Sequence, residues 1–193
     1  MERTILVVGL GNFGKEYENT LHNMGFMAID RIAKEFSKTI KKAECRSLTS
    51  TFQVNGNRVV LAKPLTYMNL SGEAVKSLVS KYKVAIEDII ILYDDVYIDR
   101  YTIRVREFGS AGTHKGMKNI IDKMQTQKIK RVRFGVGEGP GILTDYVLSP
   151  ISSKDLKTFD KVFDVFAESF AQYLYEDNFS NFMQTNNAWR LED

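Results

Sequence analysis

The chain has 193 residues, enough for one well-buried core, and its 44% hydrophobic and 26% charged residues are typical of a globular protein rather than a disordered one. Its 27 Lys and Arg residues against 24 Asp and Glu residues give a net charge of +3, which by itself does not indicate a nucleic-acid partner. No apolar stretch reaches the roughly 18 to 20 residues of a membrane span and the start has no signal-peptide pattern, so we expect a cytoplasmic protein without membrane contact.

Patterns typical of strands and helices follow one another along the chain. Strands are predicted at residues 4–9, 47–54, 58–63, 88–94, 101–108 and 130–137. Helices are predicted from Asn23 to about Ser37, from Asn69 or Ser71 as cap to about Lys83, and over 114–124 and 152–176. The sequence Asn-Gly-Asn between the second and third strands predicts a type I′ hairpin turn. These elements predict one α/β domain over residues 1–193, with a helical C-terminal part from about residue 152.

A glycine pattern follows the first predicted strand. Gly9, Gly11 and Gly14 form GxGxxG, which is one mark of dinucleotide-binding folds. In those folds a helix begins within the pattern, and an acidic residue about 20 positions later follows a second strand. Here residues 15–23 lack helical apolar spacing, and residues 30–38 continue a helix where the second strand belongs. A nucleotide-binding oxidoreductase is therefore the less favoured alternative, and the loop after the first strand becomes a candidate site.

The chain has two histidines, His22 and His114, and each lies at a predicted junction between a loop and a helix. An imidazole can act as a general base near neutral pH, or it can simply hydrogen-bond at a helix start. For His22 a partner is available, because Asp94 and Asp95 end an apolar strand at the same edge of the predicted sheet. Neighbouring strand residues point to opposite faces, so only one of these carboxylates faces His22, and the alternation alone permits either.

Amide side chains accumulate near the same edge. Asn69 lies next to Met68 in the motif PLTYMNLSG, and three more asparagines follow the first strand: Asn12, Asn19 and Asn23. A helix cap beside a core methionine would explain Asn69 and Met68 structurally. Neutral amide donors also suit the carbonyl of a peptide or ester and the oxyanion that develops from it. No acidic cluster or Cys/His spacing indicates a metal site.

Two predicted strands carry arginines at alternate positions. Arg104 and Arg106 lie on one strand, and Arg131 and Arg133 lie on the other. Period-two alternation places each pair on a single face of the sheet. Solvent-exposed strand faces often carry such charges. Together with the glycine-rich stretch between them, the two strands nevertheless predict a compact basic surface suited to RNA phosphates.

Six motifs, in order along the chain, resemble the bacterial peptidyl-tRNA hydrolase family. They are VGLGNFGKEYENTLHNMGF, KPLTYMNLSG, ILYDDV, IRVREFGSAGTHKGMKNI, RVRFGVG and DYVLSP. The resemblance implies one domain, with a twisted mixed β-sheet flanked by helices, and an enzyme that needs no cofactor or metal. It implies hydrolysis of the ester between peptide and tRNA in peptidyl-tRNA, which frees the tRNA for recycling. The implied partner is peptidyl-tRNA, contacted at its acceptor stem and 3′ end, and the implied state is a monomer without an obligate protein partner.

The resemblance also implies roles for individual residues. His22 is the base that activates water, Asp94 is its orienting partner, and Asn12 completes the catalytic group. The implied substrate-binding residues are Tyr17, Met68, Asn69 and Lys115. The residues implied to contact tRNA phosphates are Arg104, Arg106 and Arg133.

Several positions depart from the family pattern, and three of them bear on the site. Lys115 occupies the place of an asparagine, Tyr97 that of an acidic residue, and Phe13 that of a proline. A cation at position 115 can neutralise a phosphate or an oxyanion, or it can block the groove. The departures at Lys115 and Tyr97 leave a second hypothesis, a diverged paralogue that binds tRNA acceptor ends with little or no hydrolysis.

Overall fold

A seven-stranded sheet forms the centre of the fold in the computed structural model, which describes residues 3–191. Its strands are β1 (Thr4–Gly9), β2 (Lys42–Glu44), β3 (Ser47–Val54), β4 (Asn57–Pro64), β5 (Ile89–Asp95), β6 (Ile103–Arg106) and β7 (Lys130–Gly135). The α-helices in these residues are α1 (Met24–Glu35), α2 (Ser71–Tyr82), α3 (Lys115–Met124), α4 (Leu143–Val147), α5 (Ser153–Glu176) and α6 (Phe179–Ala188). The expected domain, 1–193, also includes residues 1, 2, 192 and 193, which lie outside the described part.

The sheet is mixed, with the strand order β2-β3-β4-β1-β5-β7-β6. The inner pairs β4–β1, β1–β5 and β5–β7 are parallel. The outer pairs β2–β3, β3–β4 and β7–β6 are antiparallel. The prediction of an α/β fold with a mixed sheet flanked by helices is thereby confirmed. Because the four inner strands run in the same direction, their carboxyl ends share one edge, where open α/β sheets bind their ligands.

Alternation along β1 divides the core into two layers. Ile5 and Val7 pack in the layer that α1, α5 and α6 cover. Leu6 and Val8 pack in the opposite layer, under α2 and α3. The central strand β5 is buried on both faces from Ile89 to Leu92. This double coverage is what its uninterrupted apolar run predicts.

Helix α6 lies within the predicted helical C-terminal part, but the sequence analysis gave bounds only for the helix over 152–176 and none for α6. Its sequence, FSNFMQTNNA, is rich in residues of modest helix propensity. The helix is held by tertiary contacts, because Phe179 and Phe182 are buried in the core. The Asn187 side chain also accepts a hydrogen bond from Val105 N–H (2.8 Å) and donates one to Val105 O (3.1 Å). These two bonds cover the edge strand β6, and neither has a signal in the local sequence.

The sequence predicted the turn between β3 and β4 correctly, but it predicted the wrong cap for helix α2. Asn55 and Gly56 have φ angles of 49° and 76°, which agree with the predicted type I′ turn between β3 and β4. The predicted caps of α2 are wrong: neither Asn69 nor Ser71 caps it, and Leu70 occupies the cap position without a side-chain bond. A 3-10 turn (Met68–Leu70) leads directly into α2, and the Ser71 hydroxyl donates to Met68 O within that turn (2.7 Å).

The glycines after β1 allow a helix to approach the sheet very closely. A Cβ added at Gly25 in α1 would lie 2.3 Å from both Leu10 N and Leu92 O. A Cβ at Gly9 would lie 2.1 Å from Gly25 O. The first turn of α1 therefore packs backbone to backbone on the ends of β1 and β5. This contact brings His22, just before α1, to the end of β5.

We expect Gly25→Ala to lower the free energy of unfolding by about 3 kcal/mol, the upper end of the usual cost of overpacking, because the colliding atoms are backbone. Urea denaturation of both proteins measures the loss. Gly56→Ala is the matched control, since its Cβ would meet nothing within 4 Å and only the left-handed backbone is disfavoured there, at about 1 kcal/mol. Equal losses in the two variants would contradict the close approach.

Candidate active site

Two imidazoles contact one buried carboxylate at the carboxyl edge of the sheet. Asp94, the second-last residue of strand β5, is 2% exposed. His22 lies in a 3-10 turn (Leu21–Asn23) just before α1, and its Nδ1 is 2.9 Å from Asp94 Oδ2. His114 precedes α3 as its N-cap, and its Nε2 is 3.1 Å from Asp94 Oδ1. Of the two carboxylates that the sequence left open, Asp94 is the one that faces His22.

The neighbouring carboxylate points elsewhere. Asp95 Oδ2 accepts a hydrogen bond from Arg133 Nη1 (3.1 Å), and Asp95 Oδ1 accepts one from the backbone N–H of Tyr97 (2.9 Å). This separation follows from strand alternation. The two acids therefore have different partners, one a pair of imidazoles and the other a guanidinium.

The hydrogen bonds assign the tautomers of both histidines. An ionised carboxylate only accepts hydrogen bonds, so the nitrogens that face Asp94 each carry a hydrogen. In His114 the other nitrogen, Nδ1, accepts from Met117 N–H (3.2 Å), which agrees with a proton on Nε2. In His22 the other nitrogen is Nε2, and no hydrogen-bond partner contacts it within residues 3–191. His22 Nε2 is therefore a free lone pair on a ring held in place by Asp94.

The electrostatics of this pair favour a basic imidazole. Burial lowers the pKa of His22, but the charge of Asp94 and the hydrogen bond to it outweigh burial and raise that pKa above its ordinary value of 6.5. Burial works against ionisation of Asp94 as well, yet the two histidines hold its pKa well below its usual range. Asp94 is thus a carboxylate at neutral pH, and it stabilises the imidazolium that forms when His22 takes up a proton.

A cavity of about 210 Å³ opens beside these residues. His22 and Asp94 line it together with Lys115 and Arg133. The rest of its wall includes Tyr97, the glycine-rich stretch from Ser110 to Thr113, and the α4 residues Leu143, Thr144 and Val147. The cavity thus joins the histidine, the carboxylate and two cations that the sequence singled out.

The predicted residue Asn12 lies in a neighbouring network. Its Oδ1 accepts from Met68 N–H (2.8 Å), which ties the loop after β1 to the turn before α2. The Asn23 side chain fixes its backbone, accepting from Asn12 N–H (2.8 Å) and donating to Asn12 O (3.0 Å). Within residues 3–191 the Asn12 Nδ2 group has no hydrogen-bond partner, so it is free to donate to a ligand. Asn12 lines a second cavity, of about 470 Å³, whose wall includes Asn23, the residue after His22.

The other predicted substrate-binding residues surround the site at different depths. Met68 is 3% exposed, and a Cβ added at Gly116 would lie 2.4 Å from its sulfur, so its side chain packs under the start of α3. Asn69 is exposed in the following position. Tyr17 is half-buried at the end of a 3-10 turn (Lys15–Tyr17) in the loop after β1. None of these three lines the cavity that contains His22.

The arginines of β6 and β7 share one face of the sheet, and three of the four are partly or fully exposed. Arg104 lies directly opposite Arg133, and Arg106 lies opposite Arg131. Neither Arg104 nor Arg106 forms an ion pair with any residue between 3 and 191. Burial lowers the pKa of Arg104, and the nearby cations Arg190, Arg106 and Arg133 lower it further, against the opposing charge of Asp99. These arginines form a crowded cationic surface.

One arginine of the predicted basic surface does not belong to it. Arg131 is 1% exposed, and its guanidinium donates to the backbone carbonyls of Ile129 (3.0 Å), Ser110 (2.9 Å) and Gln127 (3.0 Å). Strand alternation correctly predicted the face of the sheet on which Arg131 lies, but residues 107–113 cover that face around Arg131. Arg131 therefore holds this segment to the sheet, and it is not part of the exposed basic surface that the alternation predicted.

Comparisons with known proteins agree with this arrangement. A family model described as "Peptidyl-tRNA hydrolase" matches residues 6–192. The chain belongs to the peptidyl-tRNA hydrolase family. A peptidyl-tRNA hydrolase of Geobacillus kaustophilus is 47% identical over 158 residues, which cover 81% of this chain and 85% of that protein. A peptidyl-tRNA hydrolase of Staphylococcus haemolyticus is 40% identical over 184 residues, 94% of this chain and 97% of the relative.

A solved structure extends the likeness to three dimensions. The crystal structure of peptidyl-tRNA hydrolase from Acinetobacter baumannii matches with a TM-score of 0.90 at 29% identity, covering 98% of this chain and 97% of that one. The family resemblance that the six sequence motifs indicated is thus confirmed. Among the described helices, none is long and apolar enough to cross a membrane.

His114 is the member of this peptidyl-tRNA hydrolase site that the sequence analysis did not assign. It caps α3 through Nδ1, as the structural interpretation of a histidine at a helix start expects. Its second nitrogen reaches Asp94 only because α3 begins beside the end of β5, and that contact has no local signal. The available hint was that both histidines lie at loop-to-helix junctions near glycines.

The two histidines and Asp94 are also residue types that bind metal ions. Their ligand atoms lie within 4.8 Å of one another, the one such group within residues 3–191. In the assigned tautomers, however, the nitrogens that face Asp94 carry hydrogens and donate to it. A ligand needs a lone pair at that position, so these residues form a hydrogen-bonded trio and not a prepared cation site.

Proposed function

We propose that this chain hydrolyses the ester bond between peptide and tRNA in peptidyl-tRNA, releasing free tRNA. The observation that carries the proposal is the His22 imidazole, fixed through Nδ1 by buried Asp94 while its Nε2 lone pair is free beside a cavity. This is the arrangement of a general base. The alternative of a tRNA binder without hydrolysis has less support, because the contact of His22 with Asp94 favours a working base.

The reaction follows from this geometry. His22 Nε2 removes a proton from a water molecule as the water oxygen bonds to the ester carbonyl carbon. The carbonyl oxygen becomes an oxyanion, which amide N–H groups stabilise. The intermediate then collapses: the bond from the carbonyl carbon to the 3′ oxygen of the tRNA breaks, and the protonated His22 returns its proton to that oxygen. An aminoacyl ester is already activated, so one positioned base and a few donors suffice.

The substrate-binding roles go to residues around the base. Asn12, held by Met68 and Asn23, offers its free Nδ2 group to the substrate carbonyl or to water. Exposed Asn69 supplies a second amide, and Met68 and Tyr17 support the peptide and the terminal nucleotide. Lys115, on the cavity wall, completes the set as a cation toward a phosphate or the oxyanion.

We assign the acceptor stem of the tRNA to the arginine face of β6 and β7. Arg104 and Arg106 have no carboxylate partners within residues 3–191, and like charges crowd Arg104. Arg133 shares its Nη1 with Asp95, but its buried Nε has no partner within the same residues. A phosphate backbone relieves this repulsion and releases its own counterions.

The salt dependence of tRNA binding tests this surface. Arg106→Gln is expected to weaken binding and to reduce the slope of log affinity against log salt by about 0.7 to 0.9, the share of one phosphate. Fluorescence anisotropy of a labelled tRNA at several KCl concentrations measures the slope. Arg31→Gln is the matched control, because Arg31 pairs with Asp160 and Asp164 away from the site. An unchanged slope in Arg106→Gln would remove that arginine from the interface.

The proposal also includes a cytoplasmic location, a monomer and a reaction without cofactor. Its direct test compares two tRNAs that carry the same N-acetylated amino acid, one through a 3′ ester and the other through a 3′ amide. We expect release of the acyl group from the ester and binding without cleavage of the amide, since the amide is far less activated. Cleavage of neither, with normal binding of both, would favour the binder instead.

A further inference from the structure

Lys115 occupies a position that the stability of its own helix disfavours. It is the first residue of α3, and the first turn of that helix contains no acidic side chain. The positive end of the helix dipole repels a cation there. Lys115 is exposed, and no ion pair within residues 3–191 compensates for the repulsion. Its presence at this position calls for an explanation outside the folding of α3.

Lys115 lies beside the proposed general base, His22. Lys115 lines the same cavity as His22 and Asp94, and it directly follows His114, which contacts Asp94. A cation on the wall of the cavity that His22 lines disfavours a second positive charge on the imidazole. The neighbouring Asp94 has the opposite effect, since its carboxylate favours the imidazolium.

We propose that Lys115 is a positioning residue that acts through His22: its ammonium group opposes the pull of Asp94 and limits the protonation of the imidazole near neutral pH, so that more of it is ready to accept a proton. This inference rests on the proposed function, because it assigns Lys115 the task of setting the lower pH limit of hydrolysis. Asp94 makes His22 a stronger base, but a stronger base is more often protonated before the substrate arrives. Lys115 offsets that disadvantage.

Among the groups near His22 on β5 and α3, Lys115 is the cation without an acidic partner. Asp94 is ionised, and His114 donates to it as a neutral imidazole. Burial raises the pKa of Tyr93, whose ring packs 4.7 Å from that of His114, so it is an uncharged phenol. Asp95 and Arg133 form an ion pair and largely cancel one another.

The helices on the other side contribute little. On α1, which begins two residues after His22, Asp30 pairs with Lys63, and Arg31 pairs with two acids of α5. On α4, Asp145 is exposed to solvent, where water screens its charge. Burial itself lowers the pKa of His22 in the same direction as Lys115, and Asp94 outweighs the two together.

Proton NMR titration of the free protein tests the inference without any substrate. The chain has only two histidines, so His114→Ala identifies the His22 resonance directly. We expect Lys115→Met to raise the pKa of His22 by about half a unit, and Lys115→Arg to leave it unchanged. Lys118→Met is the matched control, one turn further along α3 and outside the cavity, and it should change nothing. An unchanged His22 pKa in Lys115→Met overturns the inference, as does an equal rise in Lys118→Met.

The pH profile of hydrolysis supplies the functional arm. Lys115→Met should move the acidic limb of kcat/KM to higher pH by the same half unit, which lowers kcat/KM about threefold below that limb. Lys115→Arg should restore the profile, which a role in packing would not do. Because the NMR arm needs no turnover, a shifted His22 resonance in a protein without hydrolysis would reject the proposed function alone. A fixed resonance in an active hydrolase would reject this inference alone.

Discussion

Replacing His22 by alanine is expected to lower kcat by about 10² to 10⁴-fold, the usual contribution of a positioned general base. The side chain is 14% exposed and lines the cavity, and no other imidazole within residues 3–191 combines a free nitrogen with a carboxylate on the other one. Affinity for tRNA should stay within about twofold, because the arginine face is untouched. Steady-state release of tRNA from an N-acetylated aminoacyl-tRNA measures the loss.

Rescue with a small base distinguishes the loss of a general base from a structural effect of the substitution. Adding imidazole to His22→Gly should restore part of the rate, in proportion to the concentration of the unprotonated form. The wild-type profile should agree in sign: kcat/KM declines as the pH falls through the pKa of His22, which lies above 6.5. An activity within fivefold of wild type in His22→Ala, with no response to imidazole, would assign the base elsewhere.

Asp94→Asn is expected to cause a loss of similar size, about 10² to 10⁴-fold in kcat, with the fold retained. An amide in place of the carboxylate no longer stabilises the imidazolium, and its NH₂ group can face a histidine nitrogen and select the wrong tautomer. The acidic limb of the remaining activity should move to lower pH, because removal of the negative charge lowers the pKa of His22. A fall in kcat without this movement would contradict the electrostatic role of Asp94.

The same substitution should alter the dependence of stability on pH. The pKa of Asp94 is lower in the folded protein than its ordinary value of 3.8, so the carboxylate stabilises the fold above that value. This stabilisation is lost as the pH falls below about 4 toward the folded pKa. Urea denaturation between pH 3 and 6 should therefore show a shallower decline for Asp94→Asn. A curve parallel to that of wild type would contradict the favourable contacts of Asp94 with the two histidines.

Much of the fold could be predicted, namely the elements whose local sequence pattern agrees with the way they pack in the folded protein. The apolar run of β5, the alternation of β6 and β7, and the Asn-Gly turn each reflect local physics that the tertiary structure reinforces. Helix α6 could not be predicted, because its helical state depends on Phe182 packing in the core and on Asn187 bonding to β6. The cap of α2 failed for a related reason, since a 3-10 turn replaced the expected side-chain cap.

In the candidate site, too, some features follow from local sequence and others depend on tertiary contacts. Residue type and strand position were enough to bring His22 to the edge where Asp94 and Asp95 lie. The choice of Asp94 needed the direction of each side chain, which follows from the register of β5 with its neighbours. The contact of His114 with Asp94, and the burial of Arg131 under residues 107–113, depend on how distant segments meet. No local pattern contains that information.

Single-turnover hydrolysis of an N-acetylated aminoacyl-tRNA, with enzyme in excess over substrate, shows whether His22 activates water for attack on the ester. It removes product release from the measured rate, so it reports on binding and chemistry alone. We expect rapid cleavage by the wild-type chain and a loss of at least about 10²-fold in His22→Ala, with tRNA still bound. The contradicting result is a wild-type chain that binds the tRNA and leaves the ester intact, above all if Lys115→Asn restores cleavage.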